Sequence, residues 1–87
     1  MNKTATFAGS FYPEKPDELT NLLNSYMQEQ KIEYKSKAII APHAGIYYSG
    51  HAAMVGYQHL ELNENIFIIA PSHHDNFNNI ALPEYTY

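Results

Sequence analysis

The chain has 87 residues, no cysteine, and five Lys plus Arg against nine Asp plus Glu, giving a formal net charge of -4. With no cluster of basic residues to displace counterions, a phosphate-tracking nucleic-acid binder is excluded, and apolar runs far shorter than the ~20 residues of a bilayer span exclude a membrane protein. A hydrophobic content of 45% suits a globular chain, yet the length is near the lower limit for a self-sufficient core, because a domain of about 60 residues buries only about 60% of its unfolded surface.

The opening "MNKTATFAGSFYP" is irregular and lacks the apolar central region of a secretory signal. Absence of cysteine fits a reducing compartment, so the cytoplasm is the expected location. "PEKPDELTNLLNSYMQEQ" follows, in which Leu19, Leu22, Leu23, Tyr26 and Met27 share one helical face. Pro16 suits the first turn of that amphipathic helix, and Asp17 and Glu18 complement its positive end. The polar "KIEYKSK", with Lys31, Lys35 and Lys37, reads as a solvated turn. Residues 38–41 then form a short continuous apolar run, the pattern of a strand buried on both faces.

"SGHAAMVGYQHL" places Ala53, Met54, Tyr57 and Leu60 at helical spacing, with Ser49 as its N-cap and Gly56 weakening it by roughly 1 kcal/mol relative to Ala. "ELNEN" turns the chain into a second apolar run at residues 66–70, and after the turn-rich "DNFNN" residues 80–82 are compatible with the start of another strand. Strand, helix and strand in this order predict an α/β fold: a βαβ unit with parallel strands and a right-handed crossover, plus the N-terminal helix.

Both apolar runs contain "IIAP", continuing as Pro42-His43 in one case and Pro71-Ser72-His73-His74 in the other. Parallel strands joined by a helical crossover end at the same edge of a sheet, where ligand sites of open α/β folds lie. His43 and His73 are therefore expected to face one crevice. Two imidazoles are half of a common first-row metal site, although spacing alone is equally compatible with a turn-capping His43 and a hydrogen-bonded His73 or His74. Adjacent residues of an extended segment point to opposite sides, so one member of the His73-His74 pair faces the crevice. His51 and His59 read as surface or interfacial residues. Ser72 has neither a G-x-S-x-G elbow nor an acidic partner at recognisable spacing, which sets a hydrolytic triad aside. Tyr47, Tyr48 and Ser72 are candidates to line the pocket, with packing the alternative for the tyrosines in a chain that has eight of them. Gly45 and Gly50 allow tight turns, and amides at the helix start could hold an anion.

"FAGSFYP", "AIIAPHAGIYYSGHAA" and "IFIIAPSHH…ALP", in this order, resemble the N-terminal part of the Memo family, known in prokaryotes as AmmeMemoRadiSam system protein B. The resemblance covers nearly the whole chain, residues 1–87. It implies part of a single larger α/β domain similar in fold to the non-haem iron extradiol dioxygenases, with a metal or vestigial metal pocket. It also implies metal ligands at His43 and His73, with His74 as a pocket neighbour, and a divalent metal, Fe or Cu ahead of Zn. Radical-SAM and AMMECR1-like partners follow from the same resemblance, as does a phosphotyrosine-peptide ligand. The family's remaining ligands, later Asp, His and Cys residues, are absent here, since the last histidine is His74. The chain is thus expected to be a fragment or truncated product, or one whose site other chains complete.

Three functions compete on this reading. The first is a metal-dependent, oxidoreductase-type pocket in the whole protein. A second is a non-catalytic module holding a peptide in the same crevice through Tyr47, Tyr48 and loop amides. In the third the isolated chain is inactive, because a βαβ unit leaves a sheet face and edge uncovered and open to self-association.

Overall fold

The computed structural model describes residues 2–27 and 31–84. Two helices are formed among them, α1 at Pro16–Tyr26 and α2 at Ile46–Gln58. α1 is built as its sequence dictates. Pro16 occupies the first turn and Asp17 and Glu18 follow it, while Leu19, Leu22, Leu23 and Tyr26 are half-buried along one face. The helix stops one residue earlier than its apolar pattern, because Met27 is extended (φ -67°, ψ 131°) and half-exposed at its C-cap. Residues 28–30 of the expected helical stretch lie outside the described residues.

α2 begins a full turn before the expected Ser49 cap. Gly45 is the N-cap residue and supplies no side-chain bond, but the first amide of the helix has another acceptor: Ile46 N–H donates to the Phe11 carbonyl at 2.8 Å. Ser49 lies within the helix and donates its hydroxyl back to the Ala44 carbonyl at 2.8 Å, the local bond that serine makes in a first turn. At the other end Lys35 Nζ donates to the Gln58 carbonyl at 2.8 Å, which places a cation on the negative end of the dipole. Ser36 pairs with Leu60 in a single parallel bridge, through Ser36 N–H to His59 O and Glu61 N–H to Ser36 O. The 31–37 connection is therefore tied to the end of α2 rather than solvated throughout.

α1 and α2 pack where Tyr26 crosses Gly50. A Cβ at Gly50 would lie 2.8 Å from Tyr26 Cε2, so the close approach requires a residue without a side chain. Gly50 and Pro13 are buried among the described residues, whereas no hydrophobic side chain is.

The parallel β-pair expected at residues 38–41 and 66–70 is not formed among the described residues. No strand is assigned there and no backbone hydrogen bond joins the two runs; residues 80–82 likewise form no strand. The physical reason lies in coverage. A parallel sheet is stable when both faces are covered. α2 reaches only one face of the first run, where Ile39 Cδ1 lies 3.5 Å from the Cβ position of Gly56, and nothing covers the second, whose residues are all exposed.

Candidate functional site

The N-terminal loop sets the position of the first histidine. Gly9 is left-handed (φ +82°), its N–H donates to the Tyr12 carbonyl at 2.7 Å, and Phe7 and Phe11 meet edge to face with ring centroids 5.1 Å apart. This tight loop presents the Phe11 carbonyl to Ile46 and its ring to Gly45, whose Cβ position is 3.7 Å from Phe11 Cδ1. The segment after Pro42 is thereby fixed at its far end, two residues beyond His43. Phe7, Gly9 and Phe11 thus contribute to the site's geometry. A glycine between two aromatic residues before a proline was the available signal for them.

The second histidine is carried by a turn. Ser72 Oγ donates to the Asp75 carbonyl at 2.7 Å and accepts the Asp75 N–H at 3.1 Å, a local side-chain closure of the ST type. Ser72 is thus engaged in holding residues 72–75, the turn bearing His73 and His74.

His43 and His73, 30 residues apart, meet at this point. Their Nε2 atoms are 3.2 Å apart, with ring centroids at 5.2 Å and an interplanar angle of 37°. Between neutral rings one Nε2 carries the proton and the other accepts it. The spacing also suits a shared ion, since two nitrogens each ~2.0–2.1 Å from a first-row metal at roughly tetrahedral angles are ~3.1–3.4 Å apart. Both rings are exposed, as is His74. Among the described residues no group of three or more His, Cys, Asp and Glu side chains is arranged to hold a metal, so the pair offers two donors and leaves further positions open.

Tyr48 is 92% exposed and Tyr47 57%, on the first turn of α2. His51 lies against Tyr26, centroids 5.9 Å apart, and His59 against Tyr34 at 4.8 Å with its Nδ1 2.8 Å from the Val55 carbonyl; both serve packing. A trough of about 470 Å³ runs between the two apolar runs, lined by Ile39, Ala41, Ile66 and Ile68 among others, with His43 at its wall. No helix among the described residues is long and apolar enough to cross a membrane.

The family model for Memo-like protein matches residues 3–86. The chain belongs to the Memo-like family. It is 39% identical over 86 residues to the MEMO1 family protein MHO1 of Saccharomyces cerevisiae, covering 92% of this chain and 25% of that protein. A MEMO1 family protein of Thermoplasma acidophilum is 41% identical over 76 residues, 84% of this chain and 28% of its own. Protein MEMO1 of Danio rerio is 36% identical over 83 residues, 92% of this chain and 28% of its own. The Memo-like chain thus spans about a quarter of the length of these curated relatives. No solved structure matches it.

Proposed function

We propose that His43 and His73 are two ligands of a divalent first-row metal, iron or copper ahead of zinc, in an oxidoreductase-type pocket of a larger Memo-like α/β domain. In that domain residues 38–41 and 66–70 are parallel strands ending at the pocket. The observation that carries the reading is the 3.2 Å approach of the two Nε2 atoms from loops 30 residues apart. Imidazole nitrogen suits these metals, and a bound ion would supply Lewis-acid or redox chemistry. The chain's own contribution is positional. His43 is held through the Phe11–Ile46 tie and His73 through the Ser72–Asp75 turn, and the open positions are left to donors from the rest of the domain.

Titration of the 87-residue chain with Cu(II), followed by the nitrogen couplings in its electron paramagnetic resonance spectrum, tests the assignment. Two-nitrogen coordination is expected, with affinity falling at least about tenfold in His43→Ala and in His73→Ala. His51→Ala and His59→Ala should match the wild type. Equal affinity in all five proteins would remove the proposal. A phosphotyrosine peptide added without metal separates it from a peptide-binding module, which would bind in the two ligand variants as well as in the wild type.

A further inference from the structure

Polar ties between residues 62–84 and the earlier chain are few. The last backbone hydrogen bond toward the earlier residues is made just before them, by Glu61 N–H to the Ser36 carbonyl at 2.8 Å. Beyond it, no backbone-to-backbone bond reaches back among the described residues, and the Ser72–Asp75 closure stays within its own turn. A single polar contact joins this segment to the earlier described residues: His73 Nε2 against His43 Nε2 at 3.2 Å. Packing does not replace the missing bonds. Every residue from 62 to 84 is exposed, and Phe67, Ile68 and Ile69, which line the trough opposite Ile39 and Ala41, are each nearly nine-tenths exposed or more. They bury too little apolar surface to hold the segment down.

The strength of that one contact therefore decides whether the segment stays docked. As a hydrogen bond between two exposed rings it is a weak tie, because water competes for both nitrogens and closing the loop between residues 43 and 73 costs chain entropy. Ligation of one cation by both rings changes the balance. The docked form already holds the two nitrogens at the separation of two ligands on one ion, whereas the undocked chain offers them one at a time. A ligand that prefers the docked form shifts the equilibrium by the ratio of its two affinities. The single-imidazole affinity is that of the His43→Ala and His73→Ala chains, at least about tenfold lower.

We infer that His43 and His73 form a metal-operated latch: ligation by both imidazoles docks residues 62–84 against the loop at residues 42–45 and closes the trough, and loss of the ion releases them. This regulation rests on the ligand assignment proposed above and adds that the site controls the shape of its own chain.

The 87-residue chain has no cysteine, so Asn21→Cys on α1 and Asn76→Cys just past the Ser72–Asp75 turn, both at exposed positions, place two nitroxide labels uniquely. Their separation is read by double electron–electron resonance during titration with Zn(II), a diamagnetic ion that imidazole also ligates. Zn(II) should turn a broad distance distribution into a narrow one, with the ratio of docked to undocked chains rising at least about tenfold. The same labels should stay broadly distributed in His43→Ala and in His73→Ala, and should narrow as in the wild type in His51→Ala and His59→Ala. Zn(II) binding that both ligand variants weaken, with no narrowing, would overturn the latch and leave the ligand assignment standing. A distribution that is narrow without Zn(II) and remains so in both ligand variants would also overturn it, because the apolar trough would then be docking the segment. Absence of narrowing together with equal Zn(II) affinity in all five proteins would overturn the latch and the assignment beneath it.

Discussion

Gly9 shows how one residue's backbone can set a distant histidine. At φ +82° it is left-handed, and the carbonyl two residues later accepts the first amide of α2. A Cβ at Gly9 would meet only Glu14 atoms at 3.7 Å and 3.8 Å, so space is not the constraint. The cost of Gly9→Ala is the left-handed conformation itself, roughly 1–2 kcal/mol. We expect Gly9→Ala to loosen the loop and speed exchange of the Ile46 amide, with Gly9→Asn milder because asparagine tolerates that region. Unchanged Ile46 exchange in Gly9→Ala would show that the loop does not hold the helix start. At this scale the sequence was partly legible. The repeated "IIAP" pointed to a meeting of His43 with His73, which the 3.2 Å contact realises. The Phe11 carbonyl was not legible, since a backbone acceptor leaves no trace in residue identity. Ser72 is a candidate to line the pocket, and its hydroxyl closes a turn onto Asp75, a role that residue identity alone does not reveal.

The helices differ in how far their sequences reveal them. α1 carries a strong single-face pattern and its start was plain from Pro16, Asp17 and Glu18. α2 has weaker one-sidedness, and its start depends on Phe11, far away in sequence, whereas local cap preference points to Ser49. The two runs read as strands because their residues are those of strands, but the partner faces that would fix them as a sheet are not within the described residues. The α1–α2 contact gives a sharp test. Gly50→Ala adds a methyl 2.8 Å from Tyr26 Cε2, an overpacking cost of roughly 1–3 kcal/mol, against a gain of about 1 kcal/mol in helix propensity. The net effect expected is a loss of helical circular dichroism and of interhelical contact. In a Tyr26→Ala background the clash is gone, so the same substitution should raise helicity. A Gly50→Ala effect of the same sign in both backgrounds would refute this packing.

At the scale of the whole molecule, surface area and dimensions agree. A compact chain of this length has a radius of gyration of about 12 Å, and this one has 14.9 Å. Its 8211 Å² of accessible surface compares with about 14,400 Å² for the unfolded chain, so it buries a little over two-fifths of the available surface where a self-sufficient domain buries about three-fifths. Hydrophobic burial is the main favourable term in folding, and here no hydrophobic side chain among the described residues is buried. The isolated chain should therefore unfold without a cooperative heat-absorption peak, whereas a fully packed domain of 87 residues would absorb about 60 kcal/mol near 60 °C. It should also bind a hydrophobic dye such as anilinonaphthalene sulfonate, the response of exposed apolar surface. Calorimetry and dye binding on the same sample decide the matter together. A full-sized cooperative transition with no dye binding would mean that the 87 residues close a core of their own, and the bare runs at residues 38–41 and 66–70 would then have to pair with each other.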